Sequence, residues 1–486
     1  MNAILAWATW EQKADEGSHI RHSESPAALP PSSTLPYNHG TMTTEPRRAS
    51  FYTVGCRLNH AESALLADRL KADGYQLVEF GQPTDLFVLN TCSITDEAER
   101  TCRYLIRKTL RASPDAFVAV TGCYAQTGPD ALMRLEGVDL ILGTAFKMRL
   151  PQLLPPPNQL RKRPAPELLH TKRIGREDFV IDGNGDYAST RANLKIQDGC
   201  DVMCAFCIIP FARGRERSRE FDDVLREARA LARLGHRELV LTGVNIGQYR
   251  HRSRALVDLI RTLESIEELD RIRISSIEPT TVSQDLLDHM AASSKLCRYL
   301  HIPLQSGDDE ILHKMNRPYR VRDYAALIER ARRLMPDLGL GTDLMVGFPG
   351  ETDRHYANTV AVAADLPFAY FHVFPYSERP GTAAAHLDGL VDERTTGRRA
   401  RELAELSRAR RLEFARRHVG QSVSVLFEDK QEQSYWTGLT KNYLRVGVTA
   451  AQSLRNQLCA VTVSGAMDGL AVGTLNETPR LMETPR

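Results

Sequence analysis

Leu194-Lys195-Ile196-Gln197-Asp198-Gly199-Cys200-Asp201-Val202-Met203-Cys204-Ala205-Phe206-Cys207 is a short strand candidate that runs directly into three cysteines spaced C-x3-C-x2-C. Thiolates are soft ligands suited to iron-sulfur clusters or to zinc. Three of them are one short of the four that saturate a cluster, so a cluster held here keeps one iron open. A zinc knuckle completed by a distant fourth residue is the alternative. It is disfavoured because structural zinc takes paired C-x2-4-C units and four ligands.

Working outward, five more strand candidates at 238–241, 271–277, 299–304, 342–346 and 370–374 alternate with helical patterns. Six such units are two short of a closed eightfold TIM barrel, which makes residues 186–418 an open (β/α)6 partial barrel with its chemistry at the carboxyl ends of the strands. Gly243, Glu278, Gln305 and Asp343 fall at those ends and are expected to bind a cofactor. After the cysteine loop, Arg213, Arg215, Arg217 and Arg219 are candidates for holding a phosphate backbone or an anionic substrate group. A solvated basic turn is the bland alternative.

Upstream, over about 47–155, apolar strand-like runs alternate with helical patterns at 59–71 and 95–110, which implies a parallel α/β domain. Three of the runs end in a cysteine: Val54-Gly55-Cys56, Asn90-Thr91-Cys92 and Thr121-Gly122-Cys123. Ligand sites of parallel sheets lie beyond the carboxyl ends of the strands, so these cysteines gather on one edge as a second three-thiolate site. Cys102, Cys297 and Cys459 lack that placement and are expected in the core. Pro151, the prolines from Pro155 and the run Arg161-Lys162-Arg163 mark an exposed linker, assigned to 156–185. The nine arginines between Asp392 and His418 suggest a helix with a basic face.

Residues 419–482 shift to short strands that suggest a small OB-like β-barrel, with Trp436, Lys441, Tyr443 and Arg445 available for stacking and phosphate contacts. Residues 1–46 lack periodicity and read as a disordered extension, with Met42 as an alternative start. The net charge of the 486-residue chain is only +2, so nucleic-acid binding has to come from local patches. Nine cysteines in a chain of this length do not form a disulfide framework, which fits a reducing cytoplasm. No apolar run approaches the roughly 18 residues of a membrane span.

From Cys200 onward the chain resembles the radical S-adenosylmethionine superfamily. That resemblance implies a [4Fe-4S] cluster on Cys200, Cys204 and Cys207, whose open iron chelates S-adenosylmethionine, with Gly243, Glu278, Gln305 and Asp343 lining the cofactor. It narrows to the methylthiotransferase family through Thr53-Val54-Gly55-Cys56, Asn90-Thr91-Cys92 and Gly122-Cys123-Tyr124-Ala125-Gln126. The family places a second [4Fe-4S] cluster on the counterparts of Cys56, Cys92 and Cys123, and the last domain is similar to the TRAM domain of tRNA-modifying enzymes. The activity implied is S-adenosylmethionine-dependent methylthiolation at C2 of an adenosine in the tRNA anticodon stem-loop, supported by an electron donor such as flavodoxin or ferredoxin. Arg215-Glu216-Arg217-Ser218-Arg219 and Met315-Asn316-Arg317-Pro318-Tyr319 resemble the branch acting on N6-threonylcarbamoyladenosine at position 37. The branch acting on N6-isopentenyladenosine is the alternative within the family. A non-catalytic RNA-binding protein with structural metal sites is the alternative outside it.

Overall fold

The computed structural model describes residues 46–93, 96–181, 185, 190–432 and 435–476. The expected extension lies outside these residues apart from Pro46, as do Met42 and Thr95.

Strands β1 (Arg48–Thr53), β2 (Gln76–Val78), β3 (Leu86–Thr91), β4 (Phe117–Gly122), β5 (Leu140–Leu142) and β6 (Glu167–Leu169) form one parallel sheet in the order β2-β1-β3-β4-β5-β6. β3 and β4 are buried along their whole length, because helices cover both faces. Leu66 and Leu70 of the helix Arg57–Ala72 pack with Leu86, Val88, Phe117 and Ala119 on one face. Cys102, Leu105 and Ile106 of the helix Asp96–Ala112 pack with Phe87, Leu89, Val118 and Val120 on the other. Cys102 is therefore a core residue, as expected, and Cys297 and Cys459 are buried too.

The segment expected to be an exposed linker departs from that reading. It supplies β6, and Lys162 Nζ neutralises the buried Asp139 at 2.7 Å while binding the carbonyl of Gly137 at 2.6 Å. The prolines set its turns, but Leu168 and Leu169 still pair with β5.

The central region contains β7 (Arg191–Lys195), the hairpin β8 (Gln197–Asp198) with β9 (Arg217–Ser218), β10 (Glu238–Thr242), the hairpin β11 (Arg250–His251) with β12 (Arg254–Ala255), β13 (Arg271–Ile274), β14 (Tyr299–His301), β15 (Gly339–Val346) and β16 (Tyr370–Pro375). The triplets β7-β10-β13 and β14-β15-β16 are parallel sheets, joined by an Ile272–Leu296 bridge and by Ile277 N donating to His301 O at 3.0 Å. Six strands thus form the expected open arc, and no pairing links β16 to β7 among the described residues.

Strands β17 (Ser422–Glu432), β18 (Tyr435–Leu439), β19 (Arg445–Val448), β20 (Leu458–Met467) and β21 (Leu470–Leu475) close a small barrel in the order β17-β18-β19-β21-β20. It sits against the amino-terminal ends of the central strands. Arg271 donates to Leu439 O at 2.7 Å and Ser424 O at 2.8 Å, and Arg273 donates to Thr440 O and Lys441 O, both at 3.0 Å. Glu238, at 2.7 Å from Arg273, compensates the buried charge. Tyr443 stacks on Tyr299 with ring centroids 4.3 Å apart. The expectation that Lys441 and Tyr443 face RNA is therefore corrected: Lys441 donates to Ser294 O, and the Tyr443 ring closes the floor of the central arc. Trp436 packs partly against the barrel's own core.

One buried ion network joins the first two regions. Glu62, on the helix Arg57–Ala72, receives Lys147 at 2.5 Å, Lys195 of β7 at 2.6 Å and both terminal nitrogens of Arg213 at 3.0 Å. Arg213 also reaches Asp198 at 3.0 Å, and Lys195 reaches it at 2.7 Å. Burial alone would raise the Glu62 carboxyl, but Arg213, Lys147 and Lys195 outweigh it and hold that carboxyl well below its usual range.

Glu62→Gln leaves buried cations without their partner and should destabilise the fold by about 3–5 kcal/mol at neutral pH, read from urea unfolding. A depressed carboxyl stabilises above its unfolded-state pKa and stops doing so as pH falls through its folded value. The gap between wild type and variant should therefore be full above about pH 5 and narrow on acidification. A Cβ on Gly339 would lie 1.8 Å from Asn442 O, so Gly339→Ala should cost about 1–3 kcal/mol by pushing the small barrel off its seat.

Candidate catalytic site

The C-x3-C-x2-C loop leaves β8 and returns through the helix Ile209–Arg213 to β9. Gly199 opens it with φ +70°, and a Cβ there would lie 1.9 Å from Arg215 O, so only glycine fits. Cys200, Cys204 and Cys207 are half-buried and near enough to influence one another electrostatically. Burial pushes the Cys200 thiol up to about 11 and raises the other two. Such thiols give up their protons when a cation replaces them.

Two segments clamp the loop from outside. Arg317 Nη1 donates to Cys204 Sγ at 3.1 Å, Asn316 Nδ2 donates to Met203 O at 2.9 Å, and Ala205 N donates to Met315 O at 2.9 Å. Ala384 N donates to Ala205 O at 2.8 Å.

Of the four residues expected at a cofactor, Gly243, Glu278 and Gln305 follow the ends of β10, β13 and β14, whereas Asp343 sits in the middle of β15, and their engagements differ. Glu278 forms an ion pair with Arg317, so a guanidinium links it to Cys204. Gln305, at φ +71°, receives a backbone bond from Met345 N and donates to Asp343 O, both at 2.8 Å. The Asp343 carboxylate meets His301 Nε2 at 2.9 Å. Gly243 lies against Gln197, and a Cβ would come within 2.8 Å of Gln197 Oε1. That oxygen accepts from Val244 N at 2.8 Å and Asn245 N at 2.9 Å, while Gln197 Nε2 donates to Gly199 O at 2.7 Å. Gln197 and Arg317 are thus the residues that fix the loop, and the sequence reading assigned a role to neither. The signal for Gln197 was its place: a polar residue two positions before Gly199, in the buried strand β8 that leads into the loop.

The arginines after the loop divide by the elements that carry them and by the carboxylates they meet. Arg213 is 1 % exposed and bound to Glu62 and Asp198; Arg219 is fully buried between Asp223 and Glu227. Neither reaches an outside anion, which corrects the expectation for both. Arg217 is mostly covered, 3.4 Å from Asp198 and over the Phe179 ring. Arg215 remains accessible, 3.9 Å from Asp201.

The second cysteine set lies at the carboxyl ends of three adjacent strands, β1, β3 and β4. Cys56 is the exposed cap of the helix Arg57–Ala72, Cys92 follows β3, and Cys123 opens the helix Cys123–Thr127. A Cβ on Gly55 would lie 3.1 Å from Cys92 Sγ, which shows how near the first loop comes to the second cysteine. Gly122, at φ +101°, has no room for a side chain either, with Thr91 O 2.4 Å from its would-be Cβ. Asn59 Nδ2 bonds Val54 O at 2.8 Å and Thr91 O at 3.0 Å, and Thr91 Oγ1 donates to Thr121 O at 2.5 Å, so side chains lock the three loops together. Burial raises the Cys123 thiol, while Arg213 and Lys147 oppose that rise. Thiol donors beside buried cations suit an anionic metal-thiolate group.

The elements that carry the two cysteine sets pack against each other. The helix that begins at Cys123 packs on the helix that follows Cys207, and Thr144 Oγ1 donates to Ala212 O at 2.6 Å across the seam. No helix of the described residues is long and apolar enough to cross a membrane.

Residues 194–363 match the radical SAM superfamily, and residues 48–143 match a family described as uncharacterized, UPF0004. The threonylcarbamoyladenosine tRNA methylthiotransferase MtaB of Bacillus subtilis is 33% identical over 425 residues, covering 85% of this chain and 93% of the relative. A tRNA-2-methylthio-N(6)-dimethylallyladenosine synthase of Cereibacter sphaeroides is 37% identical, covering 79% and 88%. The radical S-adenosylmethionine methyltransferase TsrM of Kitasatospora setae shares the fold, with a TM-score of 0.50 and 16% identity over 68% of this chain and 75% of that one. Superfamily membership brings S-adenosylmethionine and one [4Fe-4S] cluster with it. Identity above 30% across nearly the full length of the relatives, joined to these cysteine-lined strand ends, establishes that the chain belongs to the radical SAM methylthiotransferase family.

Proposed function

We propose that this chain methylthiolates C2 of N6-threonylcarbamoyladenosine at position 37 of tRNA, giving 2-methylthio-N6-threonylcarbamoyladenosine. The carrying observation is the packing of the helix that opens at Cys123 on the helix that follows Cys207. Chemistry that joins a sulfur to an unactivated carbon needs a radical source and a sulfur carrier within reach of one base, and proximity of that kind replaces a collision between separate partners. MtaB relatives from Bacillus subtilis and Aquifex aeolicus, each 33% identical over more than 80% of the chain, support the threonylcarbamoyl branch.

In this reading Cys200, Cys204 and Cys207 hold the cluster that binds S-adenosylmethionine, and Cys56, Cys92 and Cys123 hold a second [4Fe-4S] cluster. When bound, these groups supply the adenosyl radical and the sulfur to be transferred. The protein's own work is placement. Gln197 and Arg317 fix the first cysteine loop, and Glu278 orients Arg317. Asn59 and Thr91 fix the second. Gly243, Gln305 and Asp343 lie around the cofactor, Arg215 reaches the RNA, and the five-strand barrel acts as a TRAM-like RNA grip. Electrons come from a low-potential carrier such as flavodoxin or ferredoxin, in the cytoplasm. The dimethylallyl branch is the second reading, favoured by the 37% identity of its Cereibacter sphaeroides representative.

Anaerobically reconstituted protein should hold about eight irons per chain. Triple substitution of Cys56, Cys92 and Cys123 by Ala should halve that content while sparing reductive cleavage of S-adenosylmethionine. Stoichiometric zinc without such cleavage would sink the assignment. In cells lacking the protein, nucleoside mass spectrometry of tRNA should show loss of 2-methylthio-N6-threonylcarbamoyladenosine. Loss of the isopentenyl analogue alone would move the chain to the other branch.

A further inference from the structure

On the inner face of the central arc, alternate residues of β14, β15 and β16 form a cluster of rings around one carboxylate. The register sets Asp343 opposite His372 and Gly341 opposite Tyr370. His301 Nε2 meets Asp343 at 2.9 Å, and the Tyr370 hydroxyl lies 3.3 Å from His301 Nδ1 and 2.5 Å from the Tyr299 hydroxyl. Tyr443 of the small barrel stacks beneath, 5.9 Å from Tyr370.

Three cationic or proton-donating groups surround this cluster, two of them without a charged partner among the described residues and the third with only the Asp343 carboxylate nearby. Arg57, the residue after Cys56, donates from Nη2 to the Tyr443 hydroxyl at 2.8 Å and forms no ion pair among the described residues. Arg411, on the helix Glu393–Arg416, lies over the Tyr370 ring at 5.3 Å and is likewise unneutralised. His372 is exposed and makes ring contacts to Tyr370 at 5.3 Å, His301 at 5.7 Å and Phe374 at 6.2 Å, with no hydrogen bond among the described residues.

Two guanidiniums and an unbonded imidazole around a single, already engaged carboxylate leave the place short of negative charge. The same His301, Asp343 and His372 have ligand atoms within 4.8 Å of one another, so a divalent cation is the competing occupant. The flanking arginines oppose a cation and favour an anion with planar oxygens. We propose that Arg57, Arg411 and His372 form the receptor for the carboxylate of the amino-acid substituent on the substrate adenine, with the Asp343–His301 pair and the tyrosines as its wall. This rests on the threonylcarbamoyl reading, and it places recognition of the substituent one residue away from Cys56. The arginines after the first cysteine loop, two of them buried, do not perform it.

The test uses reconstituted full-length protein and anticodon stem-loops carrying N6-threonylcarbamoyladenosine, its carboxyl methyl ester, or N6-isopentenyladenosine. Wild type should prefer the free acid to the ester by about tenfold or more in kcat/KM, the scale of one lost charge-assisted bond. Arg411→Gln and His372→Gln should abolish that preference by raising KM for the acid while iron content stays at the wild-type level, and Arg411→Lys should restore part of it. Arg57 is left unaltered because it adjoins Cys56. Equal use of acid and ester by wild type, with methylthio product formed from both, would overturn the receptor while leaving the function standing. Turnover of the isopentenyl substrate alone would overturn the function itself. A first-row metal beyond the cluster irons, bound by wild type and lost in His372→Gln, would make the cluster a cation site and overturn the receptor.

Discussion

One buried carboxylate is the charged centre of the seam that brings the two cysteine-bearing regions together. Glu62 lies on a helix of the first region, yet two of its three cations, Lys195 and Arg213, come from the second. A charge taken out of water is tolerated only when its partners are in place. The seam is therefore specified to the level of individual oxygen atoms, and apolar packing alone would have left it free to slide. Asp198 extends the constraint to within two residues of Cys200, so the contact between regions and the shape of the first cysteine loop are one interaction.

A second constraint works from below. The partial arc has an open floor, and its amino-terminal rim carries Arg271 and Arg273, both buried. Backbone carbonyls of the small barrel accept from both guanidiniums, and Tyr443 packs beside Tyr299 and Tyr370. The barrel is thus a structural part of the arc. This explains why one of its aromatic residues, Tyr443 at φ +68°, points into the enzyme.

Much of this was legible in the sequence because it follows from local rules. Strand and helix periods marked the parallel sheet and the six-unit arc, and cysteines at strand ends had to collect on one edge. What was not legible depends on pairing between distant segments. Four arginines in seven residues read alike in sequence, but ion pairs with Glu62, Asp198, Asp223 and Glu227 hold Arg213 and Arg219 inward and leave Arg215 half-buried. The proline-rich connection looked like solvent-exposed chain until a buried Asp139 drew Lys162 to it. Arg317 stood in a recognisable motif, yet its bond to Cys204 crosses 113 positions, and no periodicity carries that information.

The rigid seating of the small barrel gives the molecule a fixed gauge. Because Arg271, Arg273 and Tyr443 tie the barrel directly to the arc, an RNA strand held on the barrel's outer surface, as proposed above, would be presented to the arc at a set distance and angle. Under the proposed function, selection of a single nucleotide would then come from length as well as from chemistry, because a base one step nearer or farther along that strand would not meet the cysteine loops.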